Sequence, residues 1–492
     1  MHARSLFRGG VALVCCLSPP ATAAALGDVI RDPAATDALP AAEVSVAEWR
    51  ATAETVELRL PVPAHSEFDV WASEASLVIA VRCEEVPAGL SALSDAVLGP
   101  VSVARTDGGG FTLRLAWRHW CPVDVEPDGE GGLRVTVRKV YDECSEPSSV
   151  APGVSYVRVR RADARGPVVA HVLRLEPDRV DLELRPVLAR DGFAARETVT
   201  SMARRRGAVA AINGSFFSPR TGEPLGVLMV DGELISAPLF HRSALALGGA
   251  KARIGATALG ARLTLQSGET YDLDGINQPR GLNRLVLYTP RFGPRTGTPS
   301  GGREWTVDRH GVVLGSGEAD SDIPPNGRVL SAHGQAAEWL ARRLSPGSRV
   351  KLSLPLAEVW PGARHVLGGG PALLDRGAIK VTAERERFRP DVANGRAPRT
   401  AVGIDPDGRL LLVAVDGRQP RYSQGVTLEE LARLMRSLGA SEAINLDGGG
   451  STAMTIGDVL ISRPSDGTER PVNNALLVVR RADAADEAAR RP

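Results

Sequence analysis

Short runs of alternating apolar and polar residues, each closed by glycine, proline or aspartate, recur through most of the chain. V-E-L-R-L at 56–60, S-L-V-I-A-V-R-C at 76–83, F-T-L-R-L-A-W at 111–117 and L-R-V-T-V-R-K-V at 133–140 share this pattern. A period of two sends successive side chains to opposite faces, which fits half-buried strands and not helices. The 52 glycines and 35 prolines supply the breaks, so the elements must be short and the turns many. At 492 residues, and with domains of about 150 residues each, the chain has room for two or three units.

Residues 1–25 read as an export signal: Arg4 and Arg8 make a basic start, Val11 to Leu17 an apolar core, and Ala21 to Ala25 a small-residue cleavage site. Cys15-Cys16 does not suit lipoprotein cleavage, because Val14 precedes it. Residues 26–43 form a flexible leader, 44–145 a small all-β domain, 146–154 a linker, 155–480 the main domain and 481–492 a disordered tail. No later run reaches the roughly 18 apolar residues that a spanning helix needs. The expectation is a secreted, periplasmic or cell-envelope protein with no integral membrane segment after signal removal. A net charge of +1 gives no reason to expect nucleic acid as a partner.

After the signal only Cys83, Cys121 and Cys144 remain, enough for one disulfide, with Cys121–Cys144 the first expectation. Trp71, Trp117 and Trp120 read as core residues before carbohydrate-stacking ones. His171, His241, His310, His333 and His365 are scattered, and none pairs at metal spacing. No metal site and no cofactor are expected from them.

The main domain reads as α+β, a mixed sheet with a few helices and a β-rich elaboration at about 259–354. Helical spacing covers Glu197 to Arg206, stopping at Gly207, and Gln335 to Leu344. A third helix follows Thr427, where T-L-E-E is a capping box with Glu430, and its apolar face is 428, 431, 434, 435 and 438.

Chemistry concentrates where strands end. Glu442 to Thr455 reads E-A-I-N-L-D-G-G-G-S-T-A-M-T. Asn445 and Asp447, two apart, share a face, and Gly448, Gly449 and Gly450 allow a tight turn against a ligand. Ser451 and Thr452 add hydroxyls. Further polar groups close other runs: Asn213, Arg399 with Thr400, and Asp416. A second triple glycine, including Gly369, spans 368–370. Together they describe a pocket with two carboxylates, an arginine and bare backbone, suited to holding an anion beside a reacting carboxylate. The plainer readings also stand. Arg399 pairs with a structural carboxylate, Asp416-Gly417 is a turn, Asn213 caps its own turn, or Gly368 to Gly370 serve close packing.

The runs N-G-S-F-F at 213–217, L-G-G-G-P-A-L-L at 367–374, R-T-A-V-G at 399–403, V-D-G-R at 415–418 and N-L-D-G-G-G-S-T at 445–452 resemble the phosphodiester glycosidase domain family. R-P-S-D-G-T-E-R-P-V-N-N-A-L at 463–476 resembles its end. The resemblance covers roughly 155–480 and leaves 26–150 out. It implies cleavage of the sugar C1–O bond of a glycosyl phosphodiester, in a sugar-phosphate polymer or a small diester. On this reading Asp447 is nucleophile or base and Asp416 its partner carboxylate. Arg399 and amides near Gly449 hold phosphate, while Asn213, Ser451 and Thr452 orient the sugar. Thr400, Gly369, Asn445 and Gly448 complete the binding set. Two other classes compete: a phosphodiesterase using Asp416 and Asp447 as ligands for Ca²⁺ or Mg²⁺, and a non-catalytic polysaccharide-binding protein led by residues 44–145.

Overall fold

The computed structural model describes residues 47–481, apart from 64–65, 74, 91–94, 130–131, 177–180, 249–250 and 354–358. The expected signal and leader, and the tail beyond 481, lie outside the described residues. The chain divides into two compact units. One takes the described residues up to Glu143 with Arg160–Pro167 and Pro420–Tyr422, and the other takes the rest.

In the first unit two antiparallel four-stranded sheets form from the alternating runs. One orders Glu48–Ala51, Thr55–Pro61, Gly132–Arg138 and Val123–Pro127. The other orders Phe68–Ala72, Ser76–Val81, Gly110–Trp117 and Leu98–Thr106. Val56, Leu58 and Leu60 from one sheet share a core with Leu77, Ile79, Leu113 and Leu115 from the other. Trp117 belongs to that core and donates its indole N–H to Ser73 O at 3.1 Å, whereas Trp71 is exposed. The Cys121–Cys144 disulfide does not form: Cys83, Cys121 and Cys144 are all free thiols. Cys121 is buried, which pushes its pKa up to about 12, while Cys144 lies on the surface.

The second unit is dominated by strands, with only short helices, so the expected balance of helix and strand is shifted strongly towards β. The segment read as a linker at 146–154 is partly strand, Ser148–Ala151, antiparallel to Val154–Asp163. The sheet that positions the site runs in the order Ser148–Ala151, Val154–Asp163, Gly166–Leu175, Leu410–Val415, Arg399–Ile404, Glu442–Asn445, Ala372–Asp375 and Ala378–Ile379. Arg399–Ile404 is buried at every position and is flanked antiparallel by both neighbours, with Arg399 opposite Val415 and Ala401 opposite Asn445. That register brings Arg399, Asp416 and Asp447 to one end of adjacent strands. A second sheet carries Ala210–Asn213 between Asn474–Arg480 and Met454–Ile456, so Asn213 also ends a strand.

The helix Leu428–Ser437 behaves as its sequence dictates. Thr427 Oγ1 accepts from Glu430 N at 3.2 Å and Glu430 returns the bond to Thr427 N. Leu428, Leu431, Leu434 and Met435 face the sheet core, each contributing about 2 kcal/mol by burial. Val199–Arg206 stops at Gly207, whose φ of 57° is the left-handed cap. The elaboration is a five-stranded sheet, with Gly327–His333 between Leu285–Tyr288 and Gly302–Asp308, and its helix ends at Ala341, earlier than the spacing suggested.

Candidate active site

Asp447 sits two residues past the strand Glu442–Asn445, where the chain bends through a single 3-10 turn at Gly449–Ser451. Gly449 adopts φ 62°, a conformation that a side chain resists. The carboxylate accepts from Gly448 N at 3.0 Å and from the Ser451 hydroxyl. Burial pushes the Asp447 pKa up to about 6, and these two hydrogen bonds and the charge of Arg470 keep it from rising further. A half-buried carboxyl that titrates near neutrality is chemically versatile: ionised it is a nucleophile or base, protonated an acid.

Around this turn stand three arginine side chains. A Cβ on Gly448 would lie 3.7 Å from Arg399 Cδ, and one on Gly449 would lie 3.1 Å from an Arg418 terminal nitrogen. One on Gly450 would collide with Arg470 and with Asp466, its ion-pair partner at 2.9 Å. Arg399 is 4% exposed, and its Nε donates to Val426 O while one terminal nitrogen donates to Val392 O and Gly395 O. Among the described residues Arg399 pairs with no carboxylate; carbonyls hold it, one of them Val392 O in the short helix Pro390–Asn394. Burial and the nearby Arg418 draw its pKa down to about 10, which leaves it charged at neutral pH. Arg418 is exposed, sits at φ 60°, and its side chain makes no hydrogen bond or ion pair among the described residues. It is the free cation of the group.

Several residues picked from the sequence are held inward. Asn213 is fully buried: its amide donates to Asp447 O at 2.7 Å, and its Oδ1 accepts from Thr400 Oγ1 at 2.6 Å and Ala453 N at 3.1 Å. Asn213 and Thr400 thus fasten the backbone of Asp447 and present no free group to a sugar. Gly448 N is used by Asp447, and Gly449 N donates to Pro398 O at 2.8 Å, so neither amide is open to phosphate. Gly369 is a packing glycine, since a Cβ there would meet Asn445 O at 2.7 Å and Leu446 Cδ2 at 2.9 Å. Asn445 donates to Gly370 O and Leu446 O. Its Oδ1, and Thr452 Oγ1, are buried with no partner among the described residues.

Asp416 is likewise buried. Its Oδ2 lies 3.0 Å from His171 Nε2, and Oδ1 accepts from Arg463 N at 2.9 Å. His171 Nδ1 lies 2.8 Å from the Tyr156 hydroxyl. In the tautomer that satisfies both contacts, His171 Nε2–H donates to Asp416 and Nδ1 accepts from the Tyr156 hydroxyl. Strand spacing separates Asp416 from Asp447 by two strands, about 10 Å of backbone. Asp416 and Asp447 do not face each other as an open pair.

Sequence reasoning missed Arg418, Arg470 and His171. Arg418 and Arg470 stand inside the V-D-G-R and R-P-S-D-G-T-E-R-P runs, and a count of cations near the glycine turn would have raised them. His171 had no signal beyond its place in an apolar strand. Among the described residues no helix is long and apolar enough to cross a membrane.

N-acetylglucosamine-1-phosphodiester alpha-N-acetylglucosaminidase of Mus musculus is 31% identical over 166 residues, covering 31% of this chain and 32% of that protein. The Bos taurus protein of the same name is 31% identical over 186 residues, covering 35% and 34%. The chain thus spans about a third of the length of the curated relatives it matches. A protein of Synechocystis with a solved structure shares the fold, with a TM-score of 0.63 and 22% identity over 89% of this chain and 80% of that one. Asp447, Asp416, the three arginines and both glycine turns fall within 302–479, while Asn213 and His171 lie before it. Residues 302–479 match the family described as phosphodiester glycosidase.

Proposed function

We propose that the chain is an exported hydrolase that cleaves the sugar C1–O bond of a glycosyl phosphodiester of the GlcNAc-1-phosphodiester kind, releasing a sugar and a phosphomonoester. The observation that carries this reading is Asp447, a carboxyl with a pKa of about 6 beside a turn ringed by Arg399, Arg418 and Arg470. A phosphate is a weakly basic leaving group and needs cationic stabilisation more than a proton. Arg418 is free to bind it, and Arg399 and Arg470 add positive charge in a partly dehydrated setting. Ionised Asp447 then supports the positive charge that grows at C1, as nucleophile or as base for water. Asp416 serves as a positioning residue: its hold on the Arg463 amide fixes the start of the loop that returns Arg470 to the turn. Export rests on the signal-like N-terminus, and a structural neighbour from Burkholderia pseudomallei, at 22% identity, is named as a candidate exported protein.

The test is hydrolysis of a GlcNAc-1-phosphodiester in ¹⁸O-labelled water. Free sugar with an unlabelled phosphomonoester supports C1–O cleavage; label on the phosphate product, or release of sugar 1-phosphate, would sink it and favour a phosphodiesterase. A metal-dependent version of that alternative predicts loss of activity in EDTA and recovery with Ca²⁺ or Mg²⁺. Asp416 suits it poorly as a ligand, because both its oxygens already accept hydrogen bonds.

A further inference from the structure

Two loops outside the Asp447 turn meet in an unusual arrangement. Phe240 is 47% exposed and sits at φ 55°; Arg387, on the other loop, sits at φ 57°. Neither residue is a glycine, and such backbone persists only where the surroundings enforce it. The Arg387 guanidinium lies 5.0 Å from the Phe240 ring centre, and Arg242 lies 5.8 Å from the same ring and 4.0 Å from Phe388. Phe388 in turn packs on Phe216 with ring centres 5.6 Å apart.

The base of this cluster is firmly built. The Glu386 carboxylate is buried and accepts from Ser243 N at 2.9 Å, Ser243 Oγ at 2.7 Å, Ala372 N at 3.1 Å and the Thr382 hydroxyl. Those bonds saturate it, so it does not pair with either arginine. Arg242 donates only its Nε, to the Glu386 carbonyl. The terminal nitrogens of Arg242 and the whole guanidinium of Arg387 make no hydrogen bond or ion pair among the described residues. Arg387, exposed, and Arg242, half-buried with its Nε on the Glu386 carbonyl and the Glu386 charge nearby, thus flank one exposed ring.

The cluster is tied to the Asp447 strand from two sides. Phe388 lies within 3.1 Å of where a Gly370 Cβ would stand, and Gly370 bonds Asn445 through both its N–H and its carbonyl. Phe216 follows Asn213, which holds the Asp447 carbonyl.

We infer that Phe240, Arg242 and Arg387 form a second subsite, which takes the neighbouring repeat of a sugar-phosphate chain whose terminal diester is cut at Asp447. The exposed ring stacks on the C–H face of a sugar, and the two guanidiniums bind its phosphate with planar, multidentate geometry. An aromatic face alone would select any sugar, and the arginines alone any anion; together they select an anionic sugar unit. This inference rests on the glycosyl phosphodiester reading and names its substrate class as a chain.

The experiment compares two probes on the full chain: the methyl diester of GlcNAc 1-phosphate and an oligomer of several sugar-phosphate repeats. Phe240→Ala and Arg387→Gln should each lower the preference for the oligomer over the methyl diester about tenfold, through KM and not kcat. Equal effects on both probes, or none on the oligomer, would overturn the subsite while leaving the proposed function intact. If neither probe is hydrolysed, calorimetric binding of the oligomer decides. Binding that Phe240→Ala abolishes keeps the subsite and removes the hydrolase reading; binding that Phe240→Ala leaves unchanged, or no binding at all, removes the subsite.

Discussion

The chain carries two triple-glycine turns that look alike in sequence and do opposite things. At 368–370 the missing side chains make room for the protein itself. Cβ atoms there would strike Val227 O, Asn445 O, Leu446 and Phe388, and the amides of all three glycines bond backbone carbonyls, Gly368 to Val227, Gly369 to Ser243 and Gly370 to Asn445. At 448–450 a Cβ would meet Pro398 O, a terminal nitrogen of the exposed Arg418, and the Arg470–Asp466 pair, and the carboxylate of Asp447 is the group being aimed. One turn is mortar between sheets; the other is a socket lined with positive charge. Glycine runs therefore report close approach, and only the neighbouring side chains say whether protein or ligand is approaching.

The sharpest way to break this contrast is to remove the charge that the second turn presents. Asp447→Asn should lower kcat of diester hydrolysis by 10³-fold or more; near-normal turnover would end the assignment. The same variant should be more stable than the parent at alkaline pH. Because the folded-state pKa is raised, the protonated carboxyl's contribution is fully present below about pH 4 and is lost as pH rises through about 6. Asparagine escapes that loss, so Asp447→Asn gains about 2–3 kcal/mol at pH 8 and nothing at pH 4, measurable by urea unfolding at both pH values. A carboxylate that must be ionised also makes kcat/KM fall as pH drops below about 6; a fall above about 6 would assign Asp447 as an acid instead.

The next effect tests the socket's cation. Arg418→Ala should cost roughly 10²-fold in kcat/KM, the scale of losing one charged donor to a leaving group, with unfolding unchanged because the side chain is exposed and unpaired. Loss of stability in place of activity would return Arg418 to the surface.

The two turns then separate in a paired experiment. Gly369→Ala forces a methyl onto backbone and buried aliphatic atoms and should destabilise by about 1–3 kcal/mol, while folded molecules keep their rate. Gly449→Ala strains φ 62° by about 1–2 kcal/mol and pushes on Arg418, so it should reduce the rate of folded molecules as well. If Gly369→Ala lowers the rate and leaves stability alone, the packing account of 368–370 fails.

How far the sequence carried this distinction depends on what each residue's pattern encodes. The capping box at Thr427, the stop at Gly207 and the alternation of Thr55–Pro61 are local rules, and the structure follows them. Asp447 stood out as a candidate because a carboxylate before glycines at a strand end is locally unusual. Asn213 and Thr400 were found for the wrong reason: their partners are 187 residues apart in the chain, and no local pattern tells a bond inward from one to a ligand. The packing role of Gly369 was hidden in the same way, because its close neighbours come from the Asn445 strand. The balance of helix and strand was misjudged because short, glycine-broken elements look alike whether or not helices cover the sheet.

The smallest expected effect concerns Asp416, the residue whose role shifted most. If Asp416 positions the 463–470 loop, what matters is that His171 donates to it, and glutamine can also donate. His171→Gln should then cost less than tenfold in kcat/KM, with the acid limb near pH 6 unmoved, because that limb belongs to Asp447. His171→Phe removes the donor, leaves a buried carboxylate short of a partner, and should lower stability by about 1–3 kcal/mol before it lowers the rate of folded molecules. A catalytic dyad would behave otherwise. Both substitutions would then cost 10³-fold, and the limb would move, because a residue that exchanges protons with substrate cannot be replaced by an amide that only holds its partner still.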